Sequence, residues 1–129
     1  MNRQKIREAA FSFVYSLDQG GTMTAADFWA NFLATTDSVA QPDTAFFNEL
    51  VNGVAANSSA IDDIISTLVT DFAIGRIYRI DLVLLRIGVF EIKYTDTAPA
   101  IVISSILEIA KKYSTEKSVA FINGVLGKV

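Results

Sequence analysis

Ile80-Asp81-Leu82-Val83-Leu84-Leu85-Arg86-Ile87-Gly88-Val89-Phe90-Glu91-Ile92-Lys93-Tyr94 is the stretch that decides the fold. On a helical wheel it is apolar nearly all round, interrupted only by Asp81, Arg86, Glu91 and Lys93. A helix with no polar face has to be surrounded, so the segment predicts a central, buried helix. It lacks the sustained alternation of a half-buried strand. Its uncharged runs are also too short to span a bilayer. Arg79, Arg86 and Lys93 are seven residues apart and can share one stripe.

The flanking sequence repeats the helical period. On the N-terminal side, Ile6, Ala10, Phe13, Val14 and Leu17 fall on one face of a helix from about residue 3 to 17, and Gly20-Gly21 ends it. Thr24 is placed to cap a short helix through Phe28, Trp29, Phe32 and Leu33. Residues 35–41 read as a polar loop. Pro42 sits where the next helix, carrying Phe46, Phe47, Leu50, Val51 and Val54, can begin. Asn57 or Ser58 can cap a fourth helix running through Ile61, Ile65 and Leu68 to Phe72. Pro99 opens a helix to Tyr113, and Ser114 or Thr115 caps a last one to about Lys128. Asn123-Gly124 is a strong hairpin dipeptide, but Val119, Ile122, Val125 and Leu126 keep helical spacing. The fold class is all-α: a compact bundle of about seven short helices. It forms a single domain over 1–129, in two helical halves of about 1–56 and 57–129.

Composition narrows the chemistry. Cysteine and histidine are both absent, which removes thiol catalysis, disulfides, imidazole metal ligands and a Ser-His-Asp triad. No Gly-rich phosphate loop exists. Neither a cofactor nor a metal is expected, and the chain reads as a non-enzyme. The apolar stretch 9–17 is short, broken by serines and lacks a cleavage site, so the reading is cytoplasmic, with no membrane partner. Net charge is −3, unevenly spread. Residues 1–7 hold three cations and no acid. Residues 8–75 hold nine acids and no Lys or Arg, and residues 76–129 hold eight cations and five acids. Charge alone favours the plainer reading of an acidic solvated middle with ordinary ends. The same asymmetry can also build a local positive surface.

Each candidate site has a plainer alternative. Glu91 is either a buried catalytic carboxylate or, as favoured, a structural acid bonded to amides or an arginine. Arg3 and Arg7, with Lys5 nearby, share one face at a helix start, where cations oppose the dipole. A phosphate partner would turn that cost into binding, and a frayed terminus would make it irrelevant. Lys111, Lys112 and Lys117 cluster at a helix junction beside Tyr113 and Phe121, a mixture suited to single-stranded RNA unless the rings are core.

Several segments resemble the NusB family. Residues 121–128, FINGVLGK, are similar to its closing signature F-[IV]-N-G-V-L-[DN]-K. Residues 85–92, LRIGVFEI, resemble its L-R-[IL]-x-x-[YF]-E-[LI] helix. Residues 108–113, EIAKKY, Arg7-Glu8 through Val14-Tyr15, and residues 47–54, FNELVNGV, also match family patterns, in the family's order. The family's I-N-E-A is Ile103-Ser104-Ser105-Ile106 here, Lys117 replaces a frequent acid, and Gly127 stands for its usual Asp. The resemblance implies a non-catalytic transcription antitermination factor that binds boxA-type RNA with NusE, a small-subunit ribosomal protein, and supports ribosomal-RNA synthesis. Other Nus factors and RNA polymerase are implied as indirect partners, and a homodimer stays open. For RNA it points to Arg3, Lys5, Arg7, Lys111, Lys117, Ser118 and Phe121, to which the residue reading adds Lys112. For NusE it points to Tyr15 and Asp81. The rival readings are a helical protein-contact module with weak RNA binding, or an unrecognised enzyme.

Overall fold

A computed structural model describes residues 2–36 and 42–129. These form seven α-helices: α1 (Arg3–Asp18), α2 (Ala25–Thr35), α3 (Thr44–Ala56), α4 (Ser58–Leu68), α5 (Arg79–Tyr94), α6 (Pro99–Tyr113) and α7 (Glu116–Leu126). A single 3-10 turn, Ile74–Arg76, lies between α4 and α5. No strand occurs among the described residues, and the fold is all-α as expected. Asn123-Gly124 lies inside α7, where burial of Ile122, Val125 and Leu126 outweighs its turn tendency. Residues 37–41 of the expected loop lie outside the described residues.

α5 is the axis. Leu82, Val83, Leu84, Leu85, Ile87 and Val89 are buried, and α1, α3, α4, α6 and α7 all pack on it. α3 approaches where Gly53 meets the Phe90 ring; a Cβ there would lie 2.1 Å from that ring, so only glycine lets the two helices close. The break between α3 and α4 falls at Asn57, whose side chain donates to the Gly53 carbonyl at 2.8 Å and so finishes α3 rather than capping α4. α1 and α3 reach across to α5, so both halves share one hydrophobic cluster.

Two boundaries differ from the sequence reading. α3 starts one residue after its cap, Asp43, whose carboxylate accepts from the Phe46 amide at 3.1 Å; Pro42 precedes that cap. α4 stops at Leu68, short of Phe72, because the chain turns extended at Val69. That turn lets Val69 and Ile77 bury themselves and leaves Phe72 at the surface. The termini of α1 and α7 follow local rules. Asn2 accepts from the Lys5 amide, Thr115 accepts from Ser118, and Gly20, at φ 93°, takes the left-handed turn after α1. No helix among the described residues is long and apolar enough to cross a membrane.

Candidate nucleic-acid interface

Lys5, Glu8, Ala9 and Ser12 recur at helical spacing, so α1 presents them on one face. That face lines a cleft of about 250 Å³, closed on one side by Phe28 and Phe32 of α2 and on the other by Lys112 and Tyr113 of α6. Glu8 organises it, accepting from the Tyr113 hydroxyl at 2.7 Å and from Lys112 Nζ at 3.1 Å. The hydrogen bond to Glu8 raises the Tyr113 phenol above its ordinary value, helped by burial and by the carboxylate's charge. The phenol therefore stays protonated as a donor. Beneath Tyr113 lies Phe11, ring centroids 5.5 Å apart, and Tyr15 continues the row at 5.9 Å. Lys111 and Lys112 occupy the last turn of α6, where the helix dipole welcomes cations. Lys5 sits in the first turn of α1, where the dipole repels them. Aromatic walls with Lys5 and Lys112 between them suit a flat base and its phosphates.

The chain ends therefore converge, but not every expected residue joins them. Arg7 is not an exposed phosphate ligand: it is 4% exposed, and its guanidinium grips Glu91 at 2.5 and 2.9 Å, with Ser105 Oγ at 3.3 Å. An inward-facing arginine is what satisfies the acid of the apolar central helix, and Glu91 is structural rather than catalytic. Gln4 completes the knot with Ser105. Arg3 is exposed but turns away from Lys5, its guanidinium 4.1 Å over Phe46 and facing a different hollow, beside Tyr94 and Asp96. Lys111 is exposed and pairs with Glu108 at 3.1 Å, and Lys117 is exposed at the start of α7.

Two further assignments need correction on burial. Ser118 is buried, its hydroxyl donating to Asp81 at 2.7 Å, so it is not an exposed hydroxyl on the surface of α7. Asp81 is buried too, its other oxygen accepting from Ser114 at 2.7 Å. It holds the α6–α7 turn against α5 and is not a free acid for a partner. Phe121 is half-buried and stacks on Phe72. Tyr15 is half-buried on Phe11. Glu8, Phe28 and Phe32 were not singled out from sequence. Glu8 follows Lys5 by three residues and was the available signal; the two phenylalanines look like any core stripe.

The family model described as the NusB family matches residues 4–129. The chain belongs to the NusB family. It is 35% identical over 127 residues to the transcription antitermination protein NusB of Ligilactobacillus salivarius (strain UCC118), covering 98% of this chain and 95% of that one. Among solved structures it is similar to a chain in the crystal structure of antitermination factors NusB and NusE in complex with dsRNA. There the TM-score is 0.80 at 26% identity, over 98% of this chain and 93% of that chain. It also resembles a chain in the crystal structure of a plectonemic RNA supercoil, with TM-score 0.86, 26% identity, and 98% and 91% coverage. The geometry explains how the NusB-like motifs cooperate here. Arg7-Glu8 supplies the arginine that neutralises Glu91 and the acid that anchors Lys112, so one dipeptide ties α1 to both α5 and α6. Arg86 of the second motif pairs with Asp62 at 2.9 Å, fastening α4.

Proposed function

We propose that this NusB-family chain is a non-catalytic, cytoplasmic RNA-binding transcription antitermination factor. It binds boxA-type single-stranded RNA together with NusE and supports ribosomal-RNA transcription. The carrying observation is the convergence of Lys5 and Lys112, from opposite ends of the chain, on one cleft walled by Phe28, Phe32 and Tyr113. The names of its relatives agree with this reading. Lys111 and Lys117 extend the basic rim beyond the cleft, and Arg3 adds a cation on the neighbouring side. Residues 8–75 contain no cation and repel the RNA backbone. NusE sits on the Tyr15 side, where Asp81 acts indirectly by fixing the turn before α7. Other Nus factors and RNA polymerase are reached through that complex.

Each phosphate neutralised on a single strand contributes about 0.7 to the salt slope of binding. Lys5→Ala with Lys112→Ala should therefore weaken RNA binding and flatten the slope by roughly one to one and a half units. The fold should persist, because the exposed Lys112–Glu8 pair contributes little to stability. Fluorescence anisotropy across a salt series, with and without NusE, measures this. A slope unchanged by the double substitution rejects the cleft. Absence of binding even with NusE favours a protein-contact module instead.

A further inference from the structure

α7 carries Lys117, Phe121 and Gly124 along one face at helical spacing, and the turn after it adds Lys128. The loop after α4 brings Phe72 against that face. The Phe72 and Phe121 rings stack with centroids 6.0 Å apart and planes 28° from parallel. Phe121 is half-buried, whereas Phe72 is 37% exposed and carries the outer face of the pair. A hollow of about 410 Å³ runs past Phe72, Phe121, Gly124 and Lys128, and Arg76 borders a second hollow beside Phe72. A Cβ at Gly124 would meet nothing within 4 Å, so packing does not demand glycine there, although mid-helix glycine is unfavourable. Its effect is to keep the floor of the trough low.

The charges match a polyanion. Among the described residues no acid lies within ion-pairing distance of Lys117 or Lys128. Asp71, next to Phe72 in the chain, borders both hollows and is the one acid among their lining residues, against Lys128 in the first and Arg76 in the second. An apolar protein segment would gain nothing from unpaired cations at both ends of a stacked aromatic pair. A single strand uses both, because each base has a π-face and each linkage a charge.

We infer that Phe72 is a base-stacking residue: an unpaired RNA base lies on its outer face, backed by Phe121, while Lys117, Lys128 and Arg76 take flanking phosphates. This deepens the RNA-binding reading and rests on it. The ring that meets RNA is thus Phe72, with Phe121 as its support.

The test titrates a fluorescein-labelled boxA-type single strand into the native chain and into Phe72→Ala, Phe72→Leu and Phe72→Trp at one fixed salt concentration. Loss of one base–ring stack should weaken binding about 5- to 150-fold in the Ala variant, with a similar loss for Leu, which keeps bulk but has no π-face. The Trp variant should bind as the native chain does, with its indole emission quenched by RNA; Trp29 is buried and supplies a constant background. Gly124→Leu fills the trough from outside the core and should weaken binding even if a Phe72 variant folds poorly. Ala and Leu variants that bind within twofold of the native chain overturn the inference alone. A native chain that binds no RNA overturns the RNA-binding reading and the inference together.

Discussion

A guanidinium with 4% exposure cannot trade its carboxylate for a phosphate without leaving Glu91 charged and alone in the core. Breaking a buried pair by removing one partner costs about 3–5 kcal/mol. Arg7→Ala should therefore lower stability by about that amount in urea denaturation. Any accompanying loss of RNA binding would follow the unfolded fraction rather than the salt slope. Arg7→Met together with Glu91→Met removes both charges at once and should recover most of the loss. A fully stable Arg7→Ala protein would show the pair to be dispensable. Asp81 satisfies its oxygens differently, with two serine hydroxyls and no cation. In sequence both Arg7 and Asp81 look like surface charges, because spacing places a residue on a helix face without saying which face meets the core.

At the level of elements, α5 is clasped by arginines that reach outward. Arg79 Nε donates to Asp18 at 2.9 Å, Arg86 Nε donates to Asp62 at 2.9 Å, and Arg86 Nη1 lies 3.7 Å from Asp18. Two of the three stripe cations expected from seven-residue spacing thus tie α5 to the end of α1 and to α4. The hydrogen bond from Arg79 holds the Asp18 carboxyl below its ordinary 3.8; burial opposes this, and the charges of Arg79 and Arg86 reinforce it. A depressed carboxylate stabilises the folded state fully above its unfolded value and ceases to do so as pH falls through the lower folded value. Native and Asp18→Asn proteins should differ in stability by a constant amount near neutrality. The difference should shrink once pH drops below about 3.8. Denaturation series at stepped pH test this, and a pH-independent difference would refute it. Helix existence was legible from period and caps, as Thr24, Thr115 and Pro99 show. The end of α4 was not, because Leu68, Val69 and Phe72 continue the apolar pattern while tertiary burial of Ile77 pulls the chain away.

At the scale of the molecule, an acidic protein brings Lys5 and Lys112 together where the two ends of the chain meet. That the ends are basic was readable by counting; that Lys5 faces Lys112 while Arg3 faces Asp96 required the fold. The cleft depends on partners far apart along the chain: Arg7 and Glu91 are separated by 84 residues, Arg7 and Ser105 by 98, Glu8 and Lys112 by 104. That separation dictates an order of events during translation. When α1 leaves the ribosome it has neither a countercharge for Arg7 nor an anchor for Glu8, and a lone helix of this length is marginal in water. The newborn segment is a loose strand with three unpaired cations. One of them, Arg7, is withdrawn only after α5 arrives, and the cleft closes only after α6. Ribosome-bound chains exposing residues up to about 75 should leave α1 open to protease, and chains exposing α6 should protect it. Early protection would mean that α1 docks on α3 alone. The finished chain thus shows RNA fewer cations than the nascent one, so the selectivity of the surface is acquired late in synthesis.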